Sequence, residues 1–375
     1  MIGRIKKIQD FLYDKKLEAF LVLTRINRQY LSGFTGSSGV VVIWKNRAEL
    51  FVDDRYTIRA KKESDLAVQN LKELPFTLNP SPRGRGAGVR IGIEDRITLR
   101  EAALLERDHP AAKWVPTRDI VENLRAVKSA EELKNIKKGS AIIDATFRHI
   151  VRTLKTPPLI PPLMRGGRGR GRERKIFTET DIAQEIERFG KKLGADALAF
   201  DSIVAFGENA AAPHHFSSNQ KIRKGNFLLL DFGFLVKGYH SDFTRTLFVG
   251  SPSKKQEKVY NTVLGAQMRA IEAIKPGVKA SQIDAVARRF IGQSGFGKYF
   301  THNTGHGVGL EIHELPNFST KSEDGLDKNM IVTVEPGIYI EKWGGVRIED
   351  MVVVVKDKTV VLSEISKNFK AMIIH

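Results

Sequence analysis

Five residues of types that bind metal ions lie beside apolar runs between Leu228 and Met351. Aspartate and glutamate are rarely buried unless they are paired or bound to a cation. Four carboxylates carry a charge of about −4, which two divalent cations would balance, with a hydroxide as a natural bridging ligand. The five residues are Asp231 in LLLDFG, Asp242 in GYHSDFTRT, His306 in HNTGHGVG, Glu335 in IVTVEPG and Glu349 in GVRIEDMV.

The ligand types limit the choice of metal. One imidazole with four carboxylates is a hard, oxygen-rich set, which favours Mn²⁺, Co²⁺ or Fe²⁺ over a thiolate-bound structural zinc. The chain contains no cysteine. The composition therefore excludes disulfides and thiol catalysis, and it fits a reducing compartment.

The alternation of side chains along strands predicts that the carboxylates share one site. In the segment VRIEDM, Arg347 and Glu349 should point to one face while Val346 and Ile348 pack behind them. Any one of the five acidic or histidine residues alone could be an ordinary surface residue. It is their joint occurrence that favours a metal centre.

The segment between the first two aspartates predicts a hairpin. Gly238-Tyr239 lies between one strand that ends near Leu235 and another that starts near Ser241. We interpret this pair as the turn that brings the two aspartates together.

Four segments carry a family resemblance. They are DFGFLVKGYHSDFTRT, HNTGHGVGLEIHE, EPGIYI and GVRIED, which resemble successive motifs of the creatinase, prolidase and methionine aminopeptidase family, the pita-bread metallopeptidases. The resemblance covers almost the whole chain. It implies an α/β N-terminal domain followed by an α+β pita-bread catalytic domain with a pseudo-twofold internal repeat.

The resemblance also implies a role for each metal ligand. Asp231 and Glu349 would bridge or nearly bridge two divalent ions, Asp242 would hold one ion, and His306 would hold the other. Glu335 would be both a ligand and the base that moves the proton of the nucleophile. Two metal ions polarise a carbonyl and stabilise a tetrahedral oxyanion, which is amide hydrolysis by water. We expect Mn²⁺ first, with Co²⁺, Fe²⁺ or Zn²⁺ as alternatives.

Three further histidines match catalytic positions of the family. His214, in GENAAAPHH, matches a histidine that contacts substrate and intermediate, and the adjacent His215 competes for that role. His313, in LEIHE, matches a histidine that donates to the tetrahedral oxygen or the scissile nitrogen. His302 matches one that lines the site beside the metal.

The spacing of His302 and His306 has a second interpretation. Residues four apart on a helix share a face, so both could be ligands. Glycines surround His306, however, and they argue against a helix, so we do not predict His302 as a ligand. Asn303 stands where the family usually has a glycine.

Two residues point to substrate specificity. Arg347 lies two residues before the last glutamate, as in the Xaa-Pro-cleaving members, and Tyr339 in EPGIYI matches a tyrosine near the same place. Both are predicted substrate-binding residues. The alternative is that Arg347 holds Glu349 or Asp350 by a hydrogen bond.

The first part of the chain alternates helical and extended patterns, which predicts an α/β domain with a mixed sheet. The run NRQYLSGFTGSSG resembles the N-terminal domain of the creatinase and prolidase group, which methionine aminopeptidases lack. The predicted elements are a helix over Ile5–Lys16 and strands over Ala19–Thr24, Val40–Trp44, Ala48–Val52 and Arg90–Glu94.

We place the domain boundary so that residues 1–122 form the N-terminal domain and residues 123–375 the catalytic domain. Ser129 and Glu132 fit a capping box at the start of a long amphipathic helix.

The catalytic domain contains a short internal repeat. With an offset of 101 residues, the segment from Thr180 to Gly194 aligns with the segment from Ser281 to Gly295, with identical or similar residues at five positions. Each copy should be a helix capped by Thr180 or Ser281 and ended by glycine.

The net charge of +18 raises the question of nucleic-acid binding. Two Arg/Gly/Pro-rich segments, 80–90 and about 157–175, supply +8 of it, and neither contains an aromatic residue for base stacking. The second segment corresponds to excess length between two helices of the repeat, so we interpret it as a solvated insertion and do not expect a nucleic-acid partner.

No apolar stretch reaches the ~20 residues of a membrane span, and no signal peptide is apparent. We therefore expect a cytoplasmic protein without a membrane partner.

The leading hypothesis is a dinuclear metal aminopeptidase that removes the first residue from peptides whose second residue is proline. The alternative within the family is an Xaa-Pro dipeptidase, or prolidase. Creatinase hydrolyses without metals, and methionine aminopeptidases lack the N-terminal domain. An alternative of a different class is a non-catalytic peptide- or RNA-binding protein on this fold, although no ligand is missing here. The resemblance suggests a homodimer or higher oligomer.

Overall fold

A computed structural model of the chain describes residues 2–74, 89–156, 176–356 and 359–375. It divides into two compact units, Met1–Arg125 and Ala126–His375. The insertion predicted at about 157–175 and most of the Arg/Gly-rich run 80–90 lie outside the described residues. No helix among the described residues is long and apolar enough to cross a membrane.

The first unit contains the predicted mixed sheet. Its strand order is β4-β3-β2-β1-β5-β6, with β3–β4, β1–β5 and β5–β6 parallel and the other pairs antiparallel. The strands are β1 (Ala19–Val22), β2 (Val40–Trp44), β3 (Ala48–Val52), β4 (Ala67–Asn70), β5 (Val89–Glu94) and β6 (Ala112–Thr117). The helices are α1 (Ile2–Asp14), α2 (Arg25–Ser32), α3 (Thr57–Glu63), α4 (Leu99–Asp108) and α5 (Ile120–Ala126).

The central strands of this sheet are short, continuous apolar runs. In β1 all four residues are buried, and in β2 four of five are. A strand that is covered on both faces needs apolar residues at every position, which is why AFLV and VVVIW do not alternate. Leu21, Val42 and Ile93 pack together in one cluster with Leu105 of α4.

The described part of the second unit contains four long helices. They are α6 (Ala130–Lys155), α7 (Glu179–Lys192), α8 (Lys254–Ala273) and α9 (Ala280–Gln293), with α7 packed against α6 and α9 against α8. The capping box predicted at Ser129 and Glu132 is present at the start of α6. Since α7 and α9 begin and end 101 residues apart, the predicted repeat corresponds to two equivalent helices.

The caps predicted for the two repeat helices were wrong. The N-cap of α7 is Thr178, whose hydroxyl accepts from the backbone N–H of Asp181 at 3.1 Å, while Thr180 lies in the first turn and donates to the backbone oxygen of Ser218. The N-cap of α9 is Lys279 rather than Ser281. Threonine occurs at both 178 and 180, and the first of the two is the cap. The glycine stops are confirmed, because Gly194 and Gly295 have φ of 91° and 85°, a conformation that favours glycine.

The strands that the structure describes in the second unit form four small sheets, with orders β11-β10-β7, β20-β12-β9-β8, β14-β13-β15-β18-β19 and β16-β17. Apolar residues from these sheets and from the four helices form one large core. The strands are β7 (Ala197–Leu198), β8 (Ile203–Phe206), β9 (Asn226–Asp231), β10 (Phe234–Val236), β11 (Tyr239–His240), β12 (Thr244–Val249), β13 (Gly305–Gly307), β14 (Glu314–Phe318), β15 (Ile331–Val334), β16 (Gly337–Ile340), β17 (Gly344–Arg347), β18 (Asp350–Val354), β19 (Thr359–Val361) and β20 (Ile373–Ile374).

The turn predicted at Gly238-Tyr239 lies one residue earlier. Val236 pairs with Tyr239, so the turn residues are Lys237 and Gly238, with φ of 51° and 78°. A two-residue hairpin of this type needs positive φ at both positions, and glycine takes the second.

Candidate metal centre

Three of the predicted ligands converge at one point. One side-chain atom of each of Asp242, His306 and Glu349 lies within 4.8 Å of the other two. Asp242 comes just before β12, His306 lies in β13, and Glu349 comes just before β18. The chain therefore brings residues in or beside three separate strands to a common position, as the joint pattern of the sequence predicts.

The other two predicted ligands line the same cavity, which has a volume of about 870 Å³. Asp231 ends β9 and pairs with Thr244 across the ladder to β12, which places it beside the Asp242 segment. Glu335 directly follows β15, and its Oε1 lies 3.2 Å from Nε2 of His306. All five residues thus surround one space.

The donors in this space fit divalent cations. Oδ1 of Asp231 and Oε1 of Glu349 are buried without a hydrogen-bond partner among the described residues. Burial, together with repulsion from neighbouring carboxylates, raises the pKa of Asp242 and of Glu349 well above the ordinary range. Buried carboxylates that repel one another and leave oxygens unused are what a cation would stabilise.

His306 and Glu335 form a close pair at the edge of this group. Burial opposes a charge on His306, but its hydrogen bond with Glu335 raises the pKa of the imidazole to about 9. Burial likewise opposes a charge on Glu335, and the same contact lowers the pKa of that carboxyl to about 2. A bound cation would take the place that the imidazolium proton occupies between them.

Arg347 ties the carboxylates to an accessory tyrosine. The guanidinium donates to Oδ2 of Asp231, to the hydroxyl of Tyr339 at 2.9 Å and to Oγ1 of Thr244 at 3.1 Å. The Thr244 hydroxyl in turn donates to Glu349 at 2.6 Å. Arg347 therefore acts on Glu349 through Thr244 rather than by a bond of its own.

Asp350, the other candidate partner of Arg347, has a different arginine. Its carboxylate is held by Arg245, with 2.6 Å between Oδ1 and Nη2. Val346 and Ile348 pack into the core behind Arg347 and Glu349, which confirms the predicted alternation.

His302 lies in the loop before β13, outside any helix, as predicted. Its Nε2 is 2.9 Å from the Tyr339 hydroxyl, and its Nδ1 is 2.7 Å from the backbone oxygen of Asn303. Burial lowers the pKa of this imidazole. The structure therefore gives both ring nitrogens of His302 partners within the protein and places the residue at the wall of the cavity.

The remaining histidines differ in their surroundings. The ring of His313 lies 4.4 Å from the ring of His306 in an edge-on arrangement, and burial lowers its pKa. His214 lines the cavity and is exposed. The competing His215 also borders the cavity, but its Nε2 lies 2.9 Å from the buried carboxylate of Glu179.

Several buried ionic residues around the site were not predicted from the sequence. Glu179 is one. Another is the pair of Lys128 and Glu314, whose Nζ and Oε2 are 3.0 Å apart with both side chains almost fully buried. Glu314 directly follows His313, so an acidic residue beside a candidate histidine was visible in the sequence. Its partner, Lys128, lies 186 positions away along the chain, so the pair produces no local sequence pattern.

Comparison with known proteins identifies the family. The Creatinase/Prolidase N-terminal domain model matches residues 4–127, and the model of metallopeptidase family M24 matches residues 134–356. This chain belongs to metallopeptidase family M24. The match confirms the predicted fold, in which a creatinase-type N-terminal domain precedes the M24 catalytic fold, and it confirms the predicted enzyme class of metal-dependent hydrolase.

Relatives of this M24 chain match it over nearly its whole length. An Xaa-Pro dipeptidase of Pyrococcus horikoshii is 34% identical over 359 residues, which is 95% of each chain. The structure of an Xaa-Pro dipeptidase from Bacillus anthracis is 34% identical, covers 99% of both chains and has a TM-score of 0.84. The structure of an X-Pro aminopeptidase from Thermotoga maritima is 31% identical, covers 98% of this chain and 99% of its own, and has a TM-score of 0.82.

Proposed function

We propose that the chain is a dinuclear metal-dependent aminopeptidase that hydrolyses the amide bond between an N-terminal residue and a following proline. The observation that carries the proposal is the convergence of four carboxylates and one imidazole on a single cavity, with buried carboxylate oxygens on Asp231 and Glu349 left unpaired. In this proposal residues 123–375 are the catalytic domain. The proposed specificity for the X-Pro bond rests on the names of the relatives described above.

The proposed ligands are the five predicted residues, and the proposed cofactors are two divalent ions, Mn²⁺ first and Co²⁺, Fe²⁺ or Zn²⁺ as alternatives. Asp231 and Glu349 would bridge the ions. When bound, the ions supply a polarised substrate carbonyl and a water whose pKa is low enough for it to attack at neutral pH. Glu335 is the proposed base, because its carboxylate is both next to His306 and at the surface of the cavity.

The accessory residues have positioning and substrate roles in this proposal. His313, held against His306, would donate to the oxygen or the nitrogen of the scissile amide. His214, exposed in the cavity wall, would contact the substrate. Tyr339 and Arg347 fix the orientation of Asp231 and His302. Arg347 lines the cavity and is the proposed contact next to proline, whereas Tyr339 is buried and would act on the substrate through its hydrogen bonds with Arg347 and His302.

The lining of the cavity favours peptides longer than a dipeptide. An Xaa-Pro dipeptide carries a free carboxylate directly after proline, and its recognition calls for a cationic partner. Arg347 is the single arginine among the described lining residues, which include no lysine, and its guanidinium is bonded to Asp231, so the remaining basic side chains of the lining are histidines. Glu187 and Asp201 also border the cavity and would repel a carboxylate. Dipeptidase activity remains the second candidate because two of the relatives above carry that name.

The test is hydrolysis by metal-stripped protein, with and without added Mn²⁺ or Co²⁺. The substrates are Gly-Pro, a longer X-Pro-Y-Z peptide and a matched peptide with alanine in place of proline. We expect metal-dependent release of the first residue from the X-Pro-Y-Z peptide alone. Cleavage of Gly-Pro alone would identify a dipeptidase, and cleavage of the alanine peptide at equal rate would contradict proline specificity. Sedimentation velocity of the same sample tests the predicted homodimer.

A further inference from the structure

Glu179 is an extensively hydrogen-bonded buried carboxylate near the cavity that has no role in the proposed chemistry. It lies in the first turn of α7, and its side chain is fully buried. Burial would raise the pKa of this carboxyl, but its hydrogen bonds lower it, so the group is held as an anion. Its partners are the backbone N–H of Phe206 at 2.6 Å, Nδ2 of Asn209 at 2.9 Å, Nε2 of His215 at 2.9 Å, and the N–H and hydroxyl of Ser218 at 2.9 and 2.6 Å.

These partners all belong to one segment, residues 206–218, which connects β8 towards β9. The part from Pro213 to Ser217 forms a continuous stretch of the cavity wall. Glu179 bonds to both ends of the segment and to its middle, and hydrogen bonds to an ionised acceptor are stronger than neutral ones. A single carboxylate therefore fixes the shape of this wall.

The bond to His215 separates two adjacent histidines. His215 is turned to Glu179, and its side chain is 16% exposed. His214 forms no such bond and is exposed in the cavity wall. Sequence alone left both histidines as candidates for contact with substrate, and the carboxylate that distinguishes them lies on a helix 36 positions away.

We propose that Glu179 is a positioning residue that selects His214, rather than His215, for presentation to the substrate. The proposal rests on the proposed function, because His214 acts on the substrate only if the cavity is a peptidase site. The position of the two imidazoles can nevertheless be measured without any substrate.

The first measurement is modification of the protein by diethyl pyrocarbonate, located by fragmentation mass spectrometry. In the wild type we expect His214 to react at least about tenfold faster than His215. In Glu179→Gln the ratio of the His214 rate to the His215 rate should fall to about twofold or less, because the amide cannot accept hydrogen bonds from the same set of donors. The matched control is Glu185→Gln on the same helix, since Glu185 also contacts a histidine, His149, but does not touch the segment 206–218. Faster reaction of His215 in the wild type, or unchanged discrimination in Glu179→Gln, would overturn the proposal.

The second measurement is a double-mutant cycle in kcat/KM on the X-Pro-Y-Z peptide. Glu179→Gln should lower kcat/KM about tenfold or more at unchanged metal content. In a His214→Gln background the same substitution should cost less than about twofold, since the residue that it positions is already gone. Equal losses in both backgrounds would mean a general structural role and would contradict the proposal.

Two controls keep these outcomes interpretable. Circular dichroism establishes that each variant is folded, and Ser218→Ala, which removes a single hydroxyl donor, replaces Glu179→Gln if the latter does not fold. Failure of the proposed function is separable, because it appears as a wild type that cleaves no X-Pro peptide, whereas the labelling of His214 and His215 still decides the proposal.

Discussion

The guanidinium of Arg245 and the carboxylate of Asp350 lie 2.6 Å apart, and both side chains are fully buried directly behind Glu349. Arg245 also donates to the backbone oxygen of Glu349 at 2.5 Å. The second oxygen of Asp350 accepts from Gln267 and Lys367 at 2.9 and 2.7 Å. The backbone that carries Glu349 is thus held by buried residues that are not among those lining the cavity.

Removal of Arg245 should be strongly destabilising. Arg245→Met leaves the Asp350 carboxylate buried with less compensation, so the free energy of unfolding should fall by about 3–5 kcal/mol. Urea denaturation measures this value. The control is Lys279→Met, which breaks an exposed pair with Glu323 and should change stability by less than about 1 kcal/mol. Equal effects of the two substitutions would show that the buried pair does not stabilise the fold.

Asp242→Asn should weaken metal binding, because it removes a charge from the group with His306 and Glu349. We expect lower metal occupancy after dialysis, and a loss of peptidase turnover by orders of magnitude. Elemental analysis and kinetics on the same sample measure both. Glu272→Gln, an exposed substitution on α8, serves as the control and should leave metal content and turnover at the wild-type level. Wild-type turnover with metal retained in Asp242→Asn would contradict the ligand assignment.

His313→Ala should separate metal binding from catalysis. The metal content should stay at the wild-type level, while kcat falls by roughly 10²-fold or more, the usual range for a lost acid, base or oxyanion donor. Metal analysis beside single-turnover kinetics provides the measurement. Loss of the metal in this variant would make His313 a ligand and revise its role.

The stability contributed by Glu185 should depend on pH. Its hydrogen bond with Arg188, aided by His149, lowers the pKa of the carboxyl from 4.5 to about 2. A lowered pKa in the folded state means that the contribution is complete above about 4.5 and is lost as the pH falls towards 2. Glu185→Gln should therefore cost about 0.5–1 kcal/mol at pH 7, since the partner Arg188 is largely exposed and water screens the pair, and the difference from wild type should shrink between pH 4.5 and 3. Unfolding free energies across that range measure it, and a difference independent of pH would exclude the mechanism.

The parts of the fold that the sequence predicted are those with a local signal. Val40–Trp44 and Ala48–Val52 were predicted with the observed ends, since both are rich in apolar residues and the polar residues Lys45 and Asp53 follow them directly. The five proposed metal ligands were predicted because four acidic groups beside apolar strands, together with a histidine, are unusual. Their roles stay predictions until metal and activity are measured.

The parts that the sequence did not predict depend on long-range pairing. Glu179, Lys128 and Arg245 each look like ordinary charged residues in their own segments. Their burial follows from partners that lie 36, 186 and 105 positions away. The turn at Lys237-Gly238 and the N-cap at Thr178 were each misplaced by one or two residues, because neighbouring residues of similar propensity compete.

The equivalence of α7 and α9 has a consequence for how the catalytic unit is held together. Asp231 and Asp242 follow α7, and the other three proposed ligands follow α9, so the ions would join the two halves much as they would join two subunits. A chain divided between Gly250 and Ser253 gives two fragments, neither of which has the whole ligand set. Their association should then depend on metal concentration. The association constant of the two fragments should rise about a hundredfold when the free metal concentration is a hundred times the dissociation constant of the ion. Association of the two fragments with equal affinity in chelator and in Mn²⁺ would contradict a metal link between the halves.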